Sequence, residues 1–198
     1  GISAFYLLKG KYAGVAKRSM TVAAAFGLAS ALSVVVLGDE SGYALTDNQK
    51  MKLAALEAMW ETEPAPAGLT AFGIPSMADR TTHHEIKIPY VLGLIATRSL
   101  DKPVEGIFQL VAKAEDRIES GVIAYGAVEA LKVNPNDVAA RATFEQHRRD
   151  LGYGLLLKRY VPDPRQASPE LIKKAAWDVV PPVPVMFWAF RIMAGIGF

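Results

Sequence analysis

A chain of 198 residues that is 51% hydrophobic and 21% charged is no collagen, strongly charged disordered segment or disulfide scaffold. It holds no cysteine, which excludes disulfides, thiolate metal sites, iron–sulfur clusters and a cysteine nucleophile. Its net charge of +2 is too small to argue for a nucleic-acid partner.

The mean hydropathy of +0.18 averages over an uneven distribution. Residues 1–8, with Phe5-Tyr6-Leu7-Leu8, read as the end of a transmembrane helix. Residues 9–19 carry Lys9, Lys11, Lys17 and Arg18 and no acid, which predicts a cytoplasmic loop. Residues 20–38 form a nineteen-residue run without a charge. As a helix it spans about 28 Å, close to the bilayer's hydrocarbon thickness. Small residues such as Ala24, Gly27 and Ala31 would let another helix approach. Asp39 and Glu40 follow where a signal sequence would have a small-residue cleavage site, so this run reads as a transmembrane helix.

Residues 39–178 are 140 residues of mixed polarity, predicted to be a helix-rich loop outside the cytoplasm. Leu45–Trp60 reads as a helix, with Thr46 as N-cap and Gln49 three residues on. Pro64-Ala65-Pro66-Ala67-Gly68 breaks it, and Phe72-Gly73-Ile74-Pro75 predicts a further loop. Pro89–Leu100 is too short for a span and suits a packed or interfacial helix. Pro103–Lys132 reads as a helix with Ile107, Val111, Ile118, Val122 and Tyr125 on one stripe. Asn134–Asp137 predicts a turn and Asp137–Asp150 a charged helix. Ser168-Pro169-Glu170 opens another helix, with serine as N-cap and proline at the first helical position. Residues 179–198 are apolar except for Arg191 and read as the start of the next transmembrane helix. The fold class that follows is all-α, a fragment of a transmembrane helix bundle with a large helix-rich loop outside the cytoplasm.

Chemistry could reside in a few places. Arg191 is a charge in an apolar span, which marks a functional site unless the side chain snorkels to the interface. Met193 has a thioether that either fills a packing gap or ligates haem iron, with Arg191 near a propionate. Lys52 and Glu57 are five residues apart, about 140° around a helix, so they do not form an i,i+4 pair. They are either a solvated pair, or a proton-accepting carboxylate and a cation that serve a ligand at the membrane surface. Asp39 and Glu40 are a solvated helix end or a proton exit. His83 and His84 are adjacent on a loop, with no cysteine in the chain and only His147 elsewhere, and the three match no metal motif. Lys158-Arg159, with Tyr153 and Tyr160, suits an anionic membrane interface.

Seven strings carry a family resemblance: FYLLKG (5–10), LGDESGY (37–43), KLAALE (52–57), PAPAGLTAFGIP (64–75), IPYVLGLIATRS (88–99), LGYGLLLKRY (151–160) and AFRIM (189–193). Together the chain resembles subunit I of the cytochrome bd quinol oxidases, in order and over its whole length. The similar portion is internal: the end of the fifth transmembrane helix, the sixth, the periplasmic quinol loop in its extended form, and the start of the seventh. The resemblance implies oxidation of ubiquinol or menaquinol and reduction of O2 to water in the bacterial inner membrane by a multi-pass protein. It implies a low-spin haem b with Met193 as one axial ligand and Arg191 beside it, and Lys52 and Glu57 as the quinol-oxidising pair. A high-spin haem b and haem d belong to the complete subunit, whose partners are a second large subunit, small accessory subunits and the lipid bilayer. The second axial histidine and the ligands of the other haems are expected outside this chain, which alone is not expected to be active. The contrasting expectations are a non-catalytic membrane scaffold or assembly protein with an external helical domain, and a soluble helical protein with residues 20–38 as its core helix.

Overall fold

A computed structural model describes residues 1–197, and the chain divides into two compact units, residues 1–44 and 45–198. In the first, α1 (Ile2–Leu8) turns through Lys9–Tyr12 into α2 (Ala13–Asn48). The turn carries Gly10 at φ +66 and Tyr12 at φ +52, and a Ser3–Ser19 hydroxyl bond of 2.9 Å ties α1 to α2. Among the described residues, α2 is the one helix long and apolar enough to cross a membrane, and none of its most apolar stretch is buried.

At both ends α2 runs past the uncharged segment 20–38. Lys17, Arg18, Asp39 and Glu40 limit how much helix a bilayer would accept, but charges do not interrupt backbone hydrogen bonding. Residues 13–19, expected in a loop, are therefore helical, and so are Leu45–Asn48. The helix predicted over Leu45–Trp60 is divided at Gln49, and Thr46 lies inside α2 rather than at a cap.

The second unit opens with α3 (Lys50–Leu56). An antiparallel hairpin follows, β1 (Leu69–Ser76) and β2 (Thr81–Ile88), paired Leu69↔Ile88, Phe72↔Ile86, Ile74↔His83 and Ser76↔Thr81 with two irregularities in register. The sequence predicts a loop here because Gly73 and Pro75 interrupt it; both are accommodated in β1 of a two-stranded sheet. A single π-turn, Gly93–Thr97, stands where a helix over Pro89–Leu100 is predicted, and it buries Leu92 and Ala96. The molecule is nonetheless mostly helical.

Helix α4 (Ile107–Val133) is the spine of this unit. Ile107, Val111, Ala114 and Ile118 lie along its buried stripe, the 3.6-residue period read in the sequence. Around it pack α5 (Val138–His147), α6 (Leu151–Leu155) and α7 (Pro169–Trp177). The predicted Ser168 cap forms, with Ser168 Oγ accepting from Leu171 N at 3.4 Å, and Asp137 caps α5, its Oδ1 accepting from Ala140 N at 2.9 Å. Helix α4 meets α6 at Gly121 and Gly154, where a Cβ on Gly121 would lie 2.4 Å from Gly154 N. Two backbones come this close only where both residues lack side chains. Helix α8 (Val183–Gly197) starts in the same core, with Val183 and Phe187 fully buried, and its later turns are exposed. Phe198, the last residue of the predicted segment 179–198, lies outside the described residues.

Candidate functional site

Helix α3 ends in a Schellman turn. Met59 N–H bonds Ala54 O at 2.9 Å and Ala58 N–H bonds Ala55 O at 3.2 Å, with Ala58 left-handed at φ +52. This turn places Glu57 at the C-cap with its side chain directed inward, 4% exposed. Facing it is Arg191, one turn beyond the buried Phe187 on α8. Arg191 Nη2 lies 3.1 Å from Glu57 Oε2.

A guanidinium has five N–H donors. Arg191 spends one each on five acceptors. Nη2 bonds Glu57 and the Thr70 carbonyl, Nη1 bonds Leu56 O at 2.8 Å and Phe187 O at 3.2 Å, and Nε bonds Ala71 O at 3.2 Å. Its plane also covers the Phe187 ring, 3.4 Å from the centroid. One arginine thus joins the end of α3, strand β1 and α8.

Burial pushes the Glu57 carboxyl above its ordinary range, against the opposing charge and hydrogen bond of Arg191 and a Thr70 backbone bond. Arg191 divides its donors among four carbonyls besides the carboxylate, which weakens its hold on the anion. The site can therefore keep a carboxylate out of water and let it take up a proton more readily than an exposed one.

The sequence names both Glu57 and Arg191 but places them in separate roles. The structure brings them together across 134 positions. It does not join Glu57 to Lys52, which is exposed and makes no ion pair with it. Lys52 instead borders an open cavity of about 360 Å³ with Gln49, Met51, Val179, Pro181 and Met186. Met193, two residues beyond Arg191, is 63% exposed. Asp39 and Glu40 are exposed residues of α2 in the first unit.

The three histidines stand apart. His83 Nε2 lies 3.5 Å from Asp79, His147 Nδ1 lies 2.8 Å from Ser120 Oγ, and His84 is exposed. Among the described residues no group of three or more His, Asp or Glu gathers to hold a metal ion. Sequence reasoning missed the carbonyls of Thr70 and Ala71, because backbone acceptors leave no trace in residue identity. It also missed a second network, in which Asp150 accepts from Arg117 Nε at 2.6 Å and from Ser120 Oγ at 3.0 Å.

Comparison with known proteins matches residues 1–198 to the family described as cytochrome bd terminal oxidase subunit I. The chain is 38% identical over 196 residues to cytochrome bd-II ubiquinol oxidase subunit 1 of Escherichia coli K12, covering 99% of this chain and 38% of that protein. It is 28% identical over 197 residues to cytochrome bd ubiquinol oxidase subunit 1 of Bacillus subtilis 168, covering 100% of this chain and 30% of that protein. The chain thus spans about a third of the length of these relatives.

Proposed function

The chain belongs to the cytochrome bd terminal oxidase subunit I family, and from that premise we propose that it carries the quinol-oxidising part of a membrane-bound quinol:oxygen oxidoreductase. The enzyme oxidises ubiquinol or menaquinol at the outer face of the bacterial inner membrane and reduces O2 to water. Residues 39–178 form its periplasmic loop, α2 and α8 belong to its multi-pass bundle, and a second large subunit and small accessory subunits complete it. The observation that carries this reading is the buried Glu57–Arg191 pair, a carboxylate raised by burial and tied to the helix that bears Met193.

Quinol oxidation releases two protons and two electrons. A general base works best when its pKa lies near the operating pH, and burial moves Glu57 in that direction. Glu57 accepts the proton of a quinol hydroxyl. Arg191 keeps the carboxylate oriented and compensates its charge. Lys52, at the edge of its cavity, holds a quinol oxygen or the negative charge that develops on it. Protons leave by way of Asp39 or Glu40.

The family implies a low-spin haem b. The Met193 thioether is exposed on α8 and is a suitable soft ligand on one side of the iron. The donors of Arg191 are all engaged within the protein, so its influence on a propionate is through its charge. Haem bound there supplies the one-electron acceptor for the quinol. The high-spin haem b and haem d take their ligands from the rest of the subunit.

The test is Glu57→Gln in the complete oxidase. Quinol-driven O2 uptake should fall by at least about 100-fold, the usual contribution of a general base, while artificial electron donors still support it. Unchanged quinol turnover would reject the assignment. Met193→Leu should alter the reduced spectrum of the low-spin haem, and an unaltered spectrum would remove Met193 as ligand.

A further inference from the structure

The residue after Glu57 sits in a conformation that its own chemistry disfavours. Ala58 has φ +52 and is 1% exposed. A Cβ in the left-handed region crowds the following carbonyl, and glycine is the usual occupant of this position in a helix-ending turn. Such strain persists only where the surroundings over-determine it, and it concentrates at functional sites.

Here the constraint comes from β2. Thr82 Oγ1 donates to Ala58 O at 2.9 Å and accepts from Trp60 Nε1 at 3.1 Å, so one hydroxyl spans the turn that follows Glu57. Trp60 is 5% exposed. Across the hairpin, Thr82 Cγ2 occupies the space that a Cβ on Gly73 would need, at 2.6 Å, so the glycine leaves room for the threonine methyl in this orientation. The hairpin therefore holds both members of the buried pair: β1 through its carbonyls to Arg191, and β2 through Thr82 to the turn of Glu57.

We infer that Thr82 is a positioning residue for Glu57, bridging Ala58 and Trp60 so that the carboxylate stays buried against Arg191. The inference rests on Glu57 being the proton acceptor. From α8, Arg191 is the charged group that faces Glu57; β1 presents the Thr70 backbone, and Thr82 and Trp60 carry no charge.

The experiment measures quinol-driven and artificial-donor O2 uptake against pH in the complete oxidase. Thr82→Val keeps the branched shape and removes both bonds. It should lower quinol turnover about tenfold to a hundredfold, as misplacement of a catalytic group does, and leave artificial-donor activity intact. The acid limb of the quinol profile should move to lower pH, because a less firmly buried Glu57 returns toward the ordinary carboxylate range. Thr82→Ser should restore both rate and profile. A merely structural threonine would change the amount of assembled enzyme without moving the acid limb. If Thr82→Val does not assemble, Trp60→Phe breaks the bridge from its other end. A several-fold loss with the same shift supports the inference, and parental rate and profile overturn it. Glu57→Gln separates the two ideas. Normal quinol turnover in that variant removes the proton-acceptor assignment and the positioning role with it. An inactive Glu57→Gln beside a fully parental Thr82→Val removes the positioning role alone.

Discussion

Two arginine–carboxylate pairs in the second unit show how differently the same chemistry behaves in two regions. Arg117 and Asp150 join α4 to the start of α6 at 2.6 Å, with side chains 46% and 22% exposed. Arg191 and Glu57 meet at 3.1 Å, but are only 15% and 4% exposed. For Asp150, burial pushes the carboxyl up, yet the bonds from Arg117 and Ser120 outweigh it and hold it below the ordinary range. For Glu57, burial prevails and the carboxyl is raised. Solvent access and the share of donors each carboxylate receives decide which anion is fixed and which can be protonated.

The largest expected effect separates the two arginines. Arg191→Leu leaves Glu57 and four carbonyls without their donor, and should cost the folded loop about 3–5 kcal/mol, as breaking a buried pair does. Arg117→Leu at the more exposed pair should cost about 1 kcal/mol or less. Heating the complete subunit and following protease sensitivity of residues 45–198 gives both numbers, and equal shifts would break the contrast. Next is Gly154→Ala. Its Cβ would lie 2.4 Å from the Gly121 carbonyl carbon, and forcing the helices apart should cost about 1–3 kcal/mol. Quinol turnover per folded enzyme should stay at the parental level, because the clash is confined to the α4–α6 crossing. Reduced turnover at unchanged stability would show that the two regions are coupled.

What could be read in advance differs between these regions for a physical reason. The α4 stripe and the Ser168 cap are local patterns, set by residues within a turn or two of one another, and they stand as predicted. Glu57 and Arg191 each attract notice on their own, but their pairing is a tertiary fact with no short-range signature. Phe72–Pro75 reads as a loop because Gly73 and Pro75 are turn residues by local preference. Gly73 in fact leaves room for the Thr82 methyl. Helix α2 extends past residues 20–38 at both ends because charge ends an apolar run without ending a helix.

The smallest expected effect is in the pH dependence of stability, where the two carboxylates should act in opposite directions. Asp150 is lowered on folding, so the stability it contributes is present above its ordinary value of 3.8 and is lost as the pH falls through its folded value. Glu57 is raised, so the fold favours its protonated form. Its contribution declines as the pH rises from the ordinary 4.5 through the folded value, and the deficit remains above it. Asp150→Asn should therefore flatten the acid slope, with a loss of about 1 kcal/mol at neutral pH for a partly exposed pair. Glu57→Gln should remove the opposing slope while leaving the acid slope in place. Slopes rather than absolute stabilities carry this test, because glutamine also leaves the Arg191 charge unbalanced. Denaturation midpoints of the complete subunit between pH 3 and pH 9 would measure both. If both variants changed the slope in the same direction, burial would not be what distinguishes the two carboxylates.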